Sequence, residues 1–162
     1  MLFFGFLVVG ALVAALVGRL FGIRALMEQA ACMRWGMSAA LLFFGVDHLL
    51  VPERYIPMVP EVLARPDLIV LFTGLCEIAG AIGLLLPRTR RLAGALLAVY
   101  FVCVFPANIR NAVEGLSVSG LPGASWYYWV RLAFQPVAVW WALRASGILP
   151  GRRRREQQAP AS

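Results

Sequence analysis

The chain has 162 residues, 61% of them hydrophobic and 14% charged, with a mean hydropathy of +0.78. That balance excludes a water-soluble globular domain and predicts an all-α fold, a polytopic transmembrane helical bundle whose first partner is the lipid bilayer. The net charge of +7 does not imply nucleic acid, because every basic residue is Arg and most of them flank apolar runs, where positive charge orients helices in a bilayer.

Five apolar stretches of spanning or near-spanning length follow in order: Leu2–Phe21, Cys32–Val51, Leu68–Leu86, Leu92–Ile109 and Trp126–Ala145. About 20 residues at 1.5 Å each cross a hydrocarbon core of roughly 30 Å. The first run lacks a basic leader and is followed by Arg19 and Arg24, which reads as a retained helix rather than a cleaved signal. Three parts result: residues 1–31 as an N-terminal transmembrane helix and inner loop, 32–147 as a four-helix bundle, and 148–162 as a basic, disordered cytoplasmic tail.

Arginine placement predicts orientation. Arg19, Arg24 and Arg34, then Arg88, Arg90 and Arg91, then Arg144 and Arg152–Arg155 fall on one side, whereas the intervening loops carry no positive excess. The expected topology has the N-terminus outside and the C-terminus in the cytoplasm of a bacterial-type inner membrane. The loop Pro52–Asp67, with prolines at 52, 57, 60 and 66, is expected to lie as a bent interfacial cap over the outer mouth with Tyr55 as an anchor. The Gly-rich loop before Ser125 is expected to be mobile, and Trp126–Trp129 to form an aromatic belt.

Polar residues inside these spans can be placed by depth. Glu77 lies near the midplane of the third stretch, where an ionisable group costs on the order of 2.5–3.5 kcal/mol and must be protonated, paired or facing a cavity. Asp47 and His48, Asn108 and Arg110, and Tyr127, Arg131 and Gln135 all fall in the same outer half. Tyr127, Arg131 and Gln135 repeat every four residues and share a helix face, and Gly74, Gly80 and Gly83 allow close approach to the third helix. These spacings predict an outward-facing polar pocket, with Arg131–Glu77 or Asp47–Arg110 as candidate ion pairs. Asn108 is expected to repair backbone bonds freed by Pro106, and Tyr100 to pack. His48 and Glu77 are the candidates for acid–base work; the catalytic set is otherwise unknown. Cys32, Cys76 and Cys103 form no C-x-x-C pair, and a single His without C-x-x-C-H argues against haem, so no metal and no covalently bound cofactor are expected.

The run from Arg34 to Trp141, with FFGVDHLLVPERYIPMVP, GLCEIAGAIGLLLPRTRRLAG, FPANIRNA and RLAFQPVAVWW in that order, resembles the DoxX-like family of small four-helix membrane proteins. The resemblance rests on Gly45, His48 and Pro52, on Glu77, on Pro106 to Asn108, and on Arg131 with Gln135. It implies a four-helix core with Leu2–Phe21 added outside it and peripheral to it. It also implies membrane redox chemistry, with the chain as a quinone- or lipophile-binding accessory subunit of a membrane oxidoreductase. Two other readings stay open: a non-catalytic scaffold or assembly protein, and a stand-alone membrane isomerase or proton-coupled carrier.

Overall fold

The computed structural model describes residues 2–115 and 125–150. Most of the Gly-rich loop expected to be mobile and the basic part of the tail expected to be disordered lie outside the described residues. Among these the chain is helical with no strand: α1 (Leu2–Leu20), the short α2 (Arg24–Met27), α3 (Gln29–Leu50), α4 (Pro66–Leu85), α5 (Arg90–Cys103), α6 (Phe105–Glu114), α7 (Ser125–Ala133) and α8 (Gln135–Ala145). By length and composition three helical segments, Leu2–Leu20, Pro66–Leu85 and Arg90–Glu114, suffice to cross a membrane. The count rises to four if α3 is joined to the turns after it, from which it is bent by 99°. The stretch expected as a fifth span divides into α7 and α8, each too short to cross alone.

Both divided rods break for the same reason. Pro106 and Pro136 each occupy the second position of a new helix, where a missing N–H is tolerated, and each frees a carbonyl one turn earlier. Tight packing elsewhere depends on small residues. A Cβ at Gly45 would meet the Gly74 carbonyl oxygen, and one at Gly74 the Gly45 carbonyl oxygen, so α3 and α4 touch backbone to backbone at the level of His48 and Glu77. The Ser38 hydroxyl adds a buried bond to the Ala81 carbonyl at 2.9 Å.

The core gathers Leu7, Met37, Leu41, Ala81, Leu84, Leu97 and Ala142 from α1, α3, α4, α5 and α8. At the end beyond it, arginines close helix C-termini: Arg34 donates to the Ala145 carbonyl at 3.1 Å and Arg90 to that of Leu84 at 3.2 Å. Helix α1 lies at the edge of the bundle, mainly against α3, yet contributes to the core. Leu7 is fully buried, and Phe3, Phe4 and Phe6 pack on the core.

Candidate functional site

At the end opposite the arginines the helices separate around a cavity of about 570 Å³, within the size range of small-molecule sites. Its walls are mainly apolar, with Phe3 and Phe4 from α1, Phe44 from α3, Val70 from α4, Phe101 from α5 and Ala138 from α8. Into them are set His48, Glu77, Tyr100, Asn108, Tyr127, Arg131 and Gln135. Helices read as antiparallel neighbours therefore do bring six of the eight candidate residues to one space.

Two hydrogen-bonded groups organise the polar part. In the first, the Tyr100 hydroxyl donates to Glu77 Oε1 at 2.9 Å. His48 Nδ1 lies 2.7 Å from the Phe44 carbonyl oxygen, which can only accept, so this nitrogen carries a proton. The same nitrogen is 3.3 Å from Glu77 Oε2. With its proton directed to Phe44, the contact to Oε2 is electrostatic, and that buried oxygen has no hydrogen-bond partner. The Glu77 carboxyl thus has one oxygen held and one open. In the second group, Arg131 Nη2 donates to Asn108 Oδ1 at 2.6 Å, Asn108 Nδ2 to Gln135 Oε1 at 3.3 Å, and Gln135 Nε2 to the Phe101 carbonyl at 2.8 Å. Gln135, not Asn108, satisfies a carbonyl at the α5–α6 break, because α8 begins at the same depth.

Asp47 and Arg110 do not line the cavity, and neither expected ion pair is formed. Asp47 accepts from Arg54 and from the Tyr55 hydroxyl. Arg110 lies at the outer rim, bonded to Glu114 at 2.9 Å and Glu61 at 2.8 Å and donating to the Val59 carbonyl. Glu77 pairs with His48, and none of the ion pairs among the described residues includes Arg131. Arginines in the outer loop and at the rim sit nearer to Asp47 and Glu61 than Arg131 does, and depth alone could not show that.

The loop after α3 caps the mouth as expected, but Tyr55 departs from its expected place. Two 3-10 turns, Pro52–Arg54 and Ile56–Met58, fold it inward, and Arg54, Tyr55, Met58, Val59 and Pro60 roof the cavity. Tyr55 is no interfacial anchor: its ring stacks on His48 with centroids 3.7 Å apart. Burial and its bond to Asp47 push the Tyr55 phenol, which lies beyond the spanning helices, well above the usual tyrosine range, so it remains a donor. Of the expected aromatic belt, Trp126 and Trp129 are exposed, but Tyr127 and Tyr128 are each 3% exposed and pack with Met58 and Ala112. With the end roofed, exposed lining remains at Phe72 on α4, Cys103 on α5 and Pro106 on α6, and also at Leu2 on α1, Phe43 on α3 and Leu63 of the loop.

The residues that sequence reasoning undervalued are Tyr100, Tyr55 and the α1 phenylalanines. Tyr100 had a usable signal, since ten residues after Arg90 it reaches nearly the depth that Glu77 reaches eight before Leu85. The inward turn of Tyr55 had none. No group of His, Cys, Asp and Glu among the described residues could hold a metal ion.

A family model described as Domain of unknown function (DUF8561) matches residues 37–146, more than half of the chain, and the chain belongs to that family. The match begins inside α3, so α1 and the cavity wall it supplies stand outside it. No curated protein and no solved structure matches the chain.

Proposed function

We propose that this DUF8561 member is an integral membrane protein that binds a lipophile with a polar head group, for example a quinone, as a subunit associated with a membrane oxidoreductase. The observation that carries the reading is the cavity, with apolar walls, exposed apolar lining on the flank between α4 and α5–α6, and His48, Glu77, Tyr100 and Arg131 within. A tail dissolved in the bilayer can pass an apolar flank without crossing water, while the head group finds hydrogen-bonding side chains that neither lipid nor the packed core offers. His48 and Glu77 would exchange protons with a bound carbonyl, and Tyr100 would hold Glu77 in place.

The resemblance to DoxX-like proteins supports the redox association and a four-helix core of α3, α4, α5–α6 and α7–α8, with α1 added. The arginine distribution supports five crossings with the arginine end in the cytoplasm. The decisive experiment is extraction and mass spectrometry of small molecules that copurify from native membranes. A lipophile at near-stoichiometric level is expected. Protein that carries none, and that binds no added quinone analogue, would overturn the reading.

A further inference from the structure

Arg131 is the one cavity cation among the described residues with no carboxylate at ion-pair distance; Glu77 attracts it only from farther away. Arg54 has Asp47, and His48 has Glu77 at 3.3 Å. The hydrogen bond of the Arg131 guanidinium among the described residues is to the neutral Asn108 carbonyl oxygen, itself braced by Gln135. The side chain lines the cavity and is largely withdrawn from bulk water. A cation held away from water with one neutral acceptor is costly, and the cost falls when an anion takes the remaining guanidinium donors in paired geometry. A side chain serving only as interhelical glue would need no charge: a Gln could donate to Asn108 equally well.

From this juxtaposition we infer that the cavity takes an amphiphile with a single anionic head, a long-chain carboxylate or a monoalkyl phosphate, whose head binds Arg131 and whose tail leaves past Phe72 and Cys103. This rests on the reading above that the cavity holds a lipophile, and it narrows the head group. The roof is compatible with a negative head, because Tyr55 and Arg54 engage Asp47 and keep that acid outside the lining, where it would repel the ligand. Glu77 stands across the space beside His48, so an incoming negative head is directed to the Arg131 side.

The test uses the full chain in phosphatidylcholine nanodiscs and four probes: hexadecanoate, hexadecyl phosphate, hexadecanol and decylubiquinone, with affinities expressed per mole fraction in the bilayer. One anionic probe should bind roughly ten- to a hundredfold tighter than the alcohol, the ratio expected of a charge-assisted hydrogen bond. Which of the two does so identifies the head. Arg131→Gln should remove the preference, bringing the anionic probe down to the affinity of hexadecanol in the same variant, and Arg131→Lys should keep part of it. Should Arg131→Gln not fold, the acid-to-alcohol ratio of the unaltered chain and of Arg131→Lys still decides. Equal binding of acid and alcohol, or a preference that survives Arg131→Gln, overturns the inference. Tight decylubiquinone binding without anion preference does so as well, yet leaves the lipophile reading intact; if none of the four binds, both fail.

Discussion

The two halves of the bundle are built from the same kinds of helix and reach opposite outcomes. Toward the arginine end, unbroken segments of α1, α3, α4, α5 and α8 meet through glycine and alanine, and the space between them is filled by Leu7, Met37, Leu41, Leu84 and Leu97. Toward the other end, α5 and α7 are interrupted at Val104 and Phe134, new helices start at Phe105 and Gln135 with proline second, and bulky polar side chains hold the rods apart. Small residues and continuous helices yield a solid; paired breaks at one depth yield a cavity. The half that pays in freed carbonyls is the one that gains room and hydrogen-bonding groups.

The sharpest way to break this comparison is to overfill the solid half. A Cβ at Gly36 would run into the Leu7 carbonyl and the Ala11 backbone nitrogen, neither of which can move without its helix. Gly36→Val should therefore cost about 3 kcal/mol or more, a fall of roughly 10 °C in the melting temperature measured in detergent. A change within about 2 °C, below what even 1 kcal/mol produces, would mean that α1 and α3 are not in backbone contact.

Next is the seam between the halves. Gln135→Leu leaves the Phe101 carbonyl and one Asn108 amide bond without partners inside the bundle, at a cost of about 1–3 kcal/mol. Thermal unfolding of this variant beside Gln135→Glu separates the two bonds, since the carboxylate still accepts from Asn108 but cannot donate to Phe101. Near-neutral behaviour of Gln135→Leu would show that the breaks in α5–α6 and α7–α8 are not tied together.

The open half should tolerate what the solid half does not. Ala107 lines the cavity, so Ala107→Phe is expected to change stability by less than about 1.5 kcal/mol while lowering the amount of copurifying lipophile several-fold. A severe loss of stability would show that the cavity is closed space, and unchanged ligand content that the ligand sits elsewhere.

Much of this contrast is legible in the chain alone. Hydropathy marks α1, α4 and α5–α6, and the four-residue stripe of Tyr127, Arg131 and Gln135 holds because α7 and α8 stay nearly in register across the break. Depth matching puts His48, Glu77, Asn108, Arg131 and Gln135 at one level, but it supplies height and not azimuth. Asp47 and Arg110 stand at suitable heights and turn away, toward Arg54 and toward Glu61 with Glu114. The prolines of the loop after α3 exclude a regular helix and make it a bent cap, yet only contact with His48 and Tyr127 decides which of its faces is buried. Likewise α1, apolar all round, gives no sign in sequence of which neighbour its phenylalanines choose.

The smallest expected effect on stability belongs to Glu77, and it separates a binding site from a scaffold. Glu77→Gln retains an acceptor for the Tyr100 hydroxyl and removes the group facing His48 Nδ1, whose proton is already directed to Phe44. One weak electrostatic contact is lost and an amide is easier to keep away from water than a carboxylate, so the net change should lie within about 1 kcal/mol. Glu77→Leu, which also strands the Tyr100 hydroxyl, should cost about 1–3 kcal/mol more. For a bundle whose polar residues only set helix register, Glu77→Gln would be silent in every other respect. For a cavity that binds a polar head, it should alter ligand content or the pH dependence of binding, because the open carboxyl oxygen is replaced by a group that does not titrate. Melting temperature and copurifying lipophile, measured on the same preparation, make the distinction: an unchanged melt with altered ligand content favours the site, whereas both unchanged, in Glu77→Gln and in His48→Ala alike, would leave the cavity a consequence of the broken helices and nothing more.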